Sequence, residues 1–321
     1  MINKKGFEFS FGWIFAIIVG AVIIFLAIYG ATNLVREERK VGDTEAGKQL
    51  GIILNPLESG LESGRVSRIN LPVESRVYNT CFSKGSGGAE KIFGAQDIAI
   101  ASKSGIGNKW GEPGIPSTFY NKYIFSQNVI EDKEIIVFSK PLAMPYKIAD
   151  VIFLIPERSR YCFVNPPQEI RDEMEAFDIK NINISESIKN CAKESEKVCF
   201  SERGCNIDIN LDLKSVRKNK QTLYYEDDKE NILIYGAIFS DNGIYECQIK
   251  RLMARAGELA DLYKKKSESL SFKGCSSNLE GDLEIYANLT NNVNNSRDLS
   301  NIWFYAQEIW RRNDLLSCKL F

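Results

Sequence analysis

Residues Phe7 to Val35 read FEFSFGWIFAIIVGAVIIFLAIYGATNLV, and after Glu8 no charged side chain occurs until Arg36. A helix rises about 1.5 Å per residue, so about 25 such residues cross a hydrocarbon core of roughly 30 Å with tilt to spare. The stretch reads as a single transmembrane helix over residues 11–35, preceded by a cytoplasmic tail over residues 1–10. Its apolar core is longer than the roughly 7–15 residues of a cleavable secretory signal. At the best candidate cleavage site, Tyr29-Gly30-Ala31, a bulky ring stands where a small residue belongs. Trp13 and Tyr29 near the two ends suit the lipid interface. Gly12, Ala16, Gly20, Ala27 and Ala31 share one helical face, since steps of four and seven return within about 40° at 100° per residue. Such a stripe lets helices approach closely in lipid. Gly and Ala are also common in membrane helices generally, so a contact face and an ordinary span fit equally well.

Outward from the helix, the flanking charges do not orient it. Lys4 and Lys5 precede it, and Arg36, Arg39 and Lys40 follow. Orientation comes from the cysteines: Cys81, Cys162, Cys191, Cys199, Cys205, Cys247, Cys275 and Cys318 all lie beyond the helix, in even number. They are read as up to four disulfides in an oxidising space outside the cell, with 105 connectivities open. Zinc is the poorer reading, because no two cysteines are spaced C-x2-C or C-x4-C and the chain has no histidine. The sequons at Asn183, Asn288 and Asn294 lie in the same part and would be surface acceptors for glycans.

Five of the 41 basic and three of the 42 acidic residues lie within the first 40, leaving 36 and 39 beyond them, a net charge of −3. That balance argues against a nucleic-acid footprint, which needs a clearly basic face. About 280 residues are enough for one large domain or two smaller ones. Residues 36–64 read as a stalk, weakly helical up to Pro56, with Gly42 and Asp43 favouring a break. From Val66 the pattern turns to strand, with Pro72 interrupting it. Strands are expected in DIAIASKS, NKYIFSQNVI, KEIIVFSK, KIADVIFLIP and RYCFV, forming one antiparallel sheet. PPQEIRDEMEAF reads as a short helix, Cys191 to Cys205 as a stapled loop, NIDINLDL as a strand, and LYYEDDKENILIYGAIFS as a hairpin. After Asp241 the period becomes helical, and further helices are expected near 278–289 and 298–315. On the last, Trp303, Ala306 and Trp310 form a face expected to pack rather than bind. The fold class is therefore α+β: an N-terminal transmembrane helix, a β-rich ectodomain over 65–240 and a C-terminal helical part over 241–321, stapled by disulfides.

The lack of histidine removes the commonest general base and metal ligand. Ser215-Val216-Arg217-Lys218 matches S-x-x-K, but this spacing arises cheaply and its companion motifs are missing. Gly105, Gly107 and Gly111 lead into Glu112-Pro113 rather than a helix, unlike a phosphate-cradling loop. Asn206, Asp208, Asn210 and Asp212 would share one strand face, a row of oxygens that calcium could use and that a solvated face explains better. No catalytic residue, metal site or cofactor is therefore assigned.

Lys4-Lys5-Gly6 followed at once by an apolar run resembles the class III signal of archaeal type IV pilin-like proteins. The resemblance covers about the first 35 residues. It implies cleavage between Gly6 and Phe7, leaving the apolar helix as an anchor or as part of a filament core. Phe7 replaces the Gln frequent in the archaeal motif, and Phe11 stands where bacterial pilins carry a Glu. The remainder resembles archaeal membrane proteins of unassigned activity. The expected function is a cell-surface structural or binding role, a pilin-like minor subunit or adhesin, whose partners are the lipid bilayer and other membrane subunits. A carboxylate-based envelope hydrolase and a ligand-binding sensor or transport accessory are the alternatives.

Overall fold

The computed structural model describes residues 11–58, 66–83, 94–103, 109–201 and 203–321. Its first element, α1 (Phe11–Glu58), is one uninterrupted helix of 48 residues. Among the described residues it is the one helix long and apolar enough to cross a membrane, and its apolar window has no residue buried in the protein.

The expected break at Gly42 and Asp43 does not occur, and residues 43–54 are not a free stalk. Asp43 is only 4% exposed. Its carboxylate accepts the Ser102 amide at 3.1 Å and the Ser102 hydroxyl. Gly51 lies so close to the Phe119 ring that a side chain there would collide with it. The helix cost of glycine, roughly 1 kcal/mol relative to alanine, is offset by this close docking. Leu50 and Leu54 then enter an apolar core.

That core lies on one face of a six-stranded sheet. Its strands are β1 (Val66–Phe82), β2 (Ala95–Ser102), β3 (Ser117–Phe119), β4 (Tyr123–Phe125), β5 (Val129–Ala143) and β6 (Lys147–Pro156), in the order β3-β2-β1-β5-β6-β4. All neighbours run antiparallel except β4, which is parallel to β6. Pro72 does not end its strand. It sits where the register of β1 on β5 shifts, between Asn70 and Ser75, which suits a residue with no amide to donate. Ile135, Val137, Ile152 and Leu154 face α1, while Ile136, Phe138, Phe153 and Ile155 face a second, larger core. Burial on both faces explains why β5 and β6 read as continuous apolar runs.

The expected single antiparallel sheet is in fact two sheets. RYCFV leaves the first one as β7 (Tyr161–Val164), followed by α2 (Gln168–Phe177), β8 (Ile182–Ser185), β9 (Glu196–Cys199), β10 (Ile207–Asn210), β11 (Ser215–Lys218) and β12 (Gln221–Tyr224). Their order is β12-β11-β10-β9-β7-β8, with the pairings among β8, β7, β9 and β10 parallel. The expected hairpin is also corrected: ILIYGAIF forms the helix α3 (Ile232–Phe239), every residue of which is buried. A helix apolar all round is a core helix, and so short a run has no periodicity to separate it from a strand. Asp228 starts it, accepting the amides of Ile232 at 2.7 Å and Leu233 at 2.9 Å.

Three helices complete the chain, α4 (Asn242–Ser271), α5 (Glu280–Asn291) and α6 (Leu299–Asp314). They contribute Leu252, Tyr286 and Ile302 to the core shared with α3 and both sheets. All eight cysteines pair. Cys81–Cys247 joins β1 to α4, and Cys275–Cys318 joins the segment after α4 to that after α6. Cys162–Cys191 and Cys199–Cys205 lie together on the outer face of the second sheet.

Candidate functional site

The turn from β5 to β6, the segment before α3 and one face of α6 enclose a groove of about 560 Å³. Pro141, Met144 and Pro145 form one wall. Trp303, Ala306, Gln307 and Trp310 form the other, spaced so that one helical face carries all four. The expectation that this face packs is half met. Ala306 is buried and Trp303 leans on the core, but Trp310 is 47% exposed. The Lys229 ammonium lies 4.8 Å from the Trp310 ring centre, within cation–π range.

Charges of both signs ring this apolar floor. Lys147 pairs with Asp150 at 2.7 Å, and Arg311 with Glu308 at 2.7 Å. Beneath the groove, buried Lys140 pairs with Glu173, which also accepts the Tyr235 hydroxyl at 2.6 Å. Asp228 is a buried carboxylate in the groove wall. Burial pushes its carboxyl up to about 6, against the opposing pull of the α3 amides it caps. An apolar, aromatic floor with mixed charge at the rim is suited to binding a ligand.

The other sequence candidates are placed as follows. Ser215 and Lys218 stand three apart on β11, so their side chains leave opposite faces. Lys218 is buried, donates to the carbonyls of Ile238 (2.8 Å) and Ser240 (3.1 Å), and has its pKa lowered by that burial. Of the expected row, only Asp208 and Asn210 lie on β10, since the strand gives way to a turn before Asp212, and Asn206, Asp208 and Asn210 are taken up by local bonds. Asn206 accepts the Lys197 amide, Asn210 accepts the Leu213 amide, and Asp208 accepts the Cys205 amide and pairs with Arg217 at 2.8 Å. Among the described residues no group of three or more acidic or cysteine side chains could hold a metal ion.

Gly111 donates its amide to Ser102, tying its loop to β2, whereas Gly105 and Gly107 lie outside the described residues. Gly6 and Phe7 also lie outside them. Gly12, Ala16, Ala27 and Ala31 are exposed, and a Cβ at Gly20 would meet open space. Asn183, Asn288 and Asn294 are exposed. The hydroxyl residues of all three sequons, Ser185, Thr290 and Ser296, are buried and donate to Ser187, Tyr286 and Glu246 respectively.

Sequence reasoning missed the groove, because half its wall comes from residues 141–147 and 227–230, which carry no motif. The spacing of Trp303, Ala306 and Trp310 was the available signal. It missed Arg251 as well. That guanidinium is fully buried, donates to the carbonyls of Lys122 at 2.9 Å and Tyr120 at 3.0 Å and to the Gln96 side chain, and burial lowers its pKa to about 10. With Gln248 and Asn79 it forms a polar seam holding α4 to β1, β2 and β4 beside Cys81–Cys247. Comparison with protein families, with curated proteins and with solved structures returns no match.

Proposed function

We propose that this chain is a membrane-anchored surface protein whose disulfide-bonded ectodomain serves a structural or binding role as a pilin-like subunit. One observation carries the reading: α1 is a single helix whose first part is apolar and uncovered and whose second part is built into the ectodomain core. An uncovered apolar helix of this length needs lipid, or the helices of other subunits, around it. The four disulfides fit an oxidising space on the far side of the membrane. The class III-like Lys4-Lys5-Gly6 supports the pilin-like form of the proposal, and the groove beside Trp310 offers its ectodomain a binding face. Asn183, Asn288 and Asn294, all exposed, would be glycan acceptors on that side.

The test is the mass of the amino-terminal peptide of protein isolated from its own membranes. Cleavage after Gly6, giving a start at Phe7, is expected. An uncleaved Lys4-Lys5-Gly6 in the membrane-bound protein would sink the pilin-like form and leave a plain anchored ectodomain.

A further inference from the structure

Where α1 leaves its apolar stretch, a cavity of about 580 Å³ opens between the helix and the loop that carries Trp110. Ala31, Thr32, Val35, Arg36, Arg39 and Lys40 form its helical wall. Their spacing of four with neighbours places all six on one face, and Glu37 and Glu38 fall on the other. Polarity changes sharply along that face. Ala31 and Val35 belong to the apolar stretch, and the three cations begin directly above it. Ala31 to Lys40 covers about 13 Å at 1.5 Å per residue, enough to cross from hydrocarbon into a headgroup layer roughly 5–8 Å thick.

The opposite wall is held rigidly. Trp110 bridges to Lys103 through the backbone, and its ring lies 4.2 Å from the Arg76 guanidinium and 5.3 Å from the Lys103 ammonium. Those two cations are already answered, Arg76 by Glu131 at 2.6 Å and Lys103 by Glu74 at 2.7 Å. Arg36 is answered by Glu112 at the cavity rim. Arg39 and Lys40 are half-buried in the wall and make no ion pair among the described residues. The cavity thus has an apolar end at Ala31 and Val35, toward the membrane, and an excess of positive charge beyond it at Arg39 and Lys40.

We infer that this cavity seats the phosphate headgroup of an anionic membrane lipid. The phosphate lies between Arg39 and Lys40, and the glycerol and upper acyl carbons lie against Ala31 and Val35. Basic side chains next to a membrane helix draw anionic lipid by charge. The inference rests on the reading that the apolar part of α1 lies in a bilayer.

The test uses the full chain in nanodiscs of equal phosphatidylcholine and phosphatidylglycerol, with retained lipid counted by native mass spectrometry. Wild type should retain phosphatidylglycerol on the order of 10-fold over phosphatidylcholine. R39Q/K40Q should lose that preference, R39K/K40R should keep it, and K189Q/K193Q, at exposed lysines outside the cavity, should leave it intact. No preference in wild type, or an undiminished one in R39Q/K40Q, overturns the inference. So does complete displacement of the lipid by soluble glycerol phosphate, which would make the site one for a free phosphate. Entry into the discs without headgroup preference sinks this site alone. Failure to enter them sinks the anchor reading and the site together.

Discussion

The first sheet hides its outer face under α1, where Leu50 and Leu54 join eleven buried aliphatic side chains from β1, β2, β4, β5 and β6. Among the described residues no such helix covers the second sheet. Its outer face buries Cys162, Val164 and Cys199, covered by two disulfides and Ile188. The difference follows from strand length. β1 and β5 run 17 and 15 residues, while the strands of the second sheet run four. Long strands offer enough apolar area for burial to hold a covering helix, at about 25 cal/mol per Å². Four-residue strands do not, and covalent closure of their loops limits the unfolded chain instead.

The contrast is broken most directly by truncation. A chain beginning at Arg36, without the apolar segment, is expected to melt cooperatively as a soluble protein. A chain beginning after Glu58 is expected to lose that cooperative transition, because the outer face of the first sheet is then bare. Circular dichroism melts of the two decide it, and equal melting temperatures would show that α1 is dispensable to the core. A smaller effect is expected at the other sheet. Replacing Cys162 and Cys191 together by Ala should cost about 4 kcal/mol, and replacing Cys199 and Cys205 about 2 kcal/mol, as their separations of 29 and 6 residues imply. Urea titrations giving equal losses would mean that the bonds act through native packing rather than loop closure.

An effect of similar size, but dependent on pH, is expected at Asp228 below α3. Its carboxyl titrates near 6 in the folded chain and near 4 when unfolded. Between those values the folded state binds more protons, so stability falls as pH rises through the window and is level above it. The decline should be about 3 kcal/mol and should vanish in D228N. A pH series of urea titrations in which wild type and D228N run parallel from pH 4 to 6 would refute this.

How much of this was legible in the sequence depended on how far each segment's neighbours could be inferred locally. The apolar span, the strand character of β1, β2, β5 and β6, the amphipathic α4 and the pairing of all cysteines followed from period, length and parity. Three features required partners remote in sequence. Gly42 and Asp43 read as a break in the helix until Ser102 is placed against Asp43. ILIYGAIF reads as a strand until both sheets close around it. The four-residue β7 to β10 give too short a window to tell a parallel ladder from an antiparallel one. The groove was partly visible, in one face of α6, and otherwise depended on turns that local pattern does not bring together.

The unbroken α1 has a mechanical consequence. From Val35 to Asp43 is eight residues, or about 12 Å of helix, and Asp43 is already clamped to β2. With its apolar part in a bilayer, the ectodomain is held as on a short mast rather than a tether. It cannot swing out to search the medium, and tension on the anchor is delivered straight to the end of β2 in the first sheet. Whatever occupies the groove beside Trp310 must come to the membrane surface to meet it.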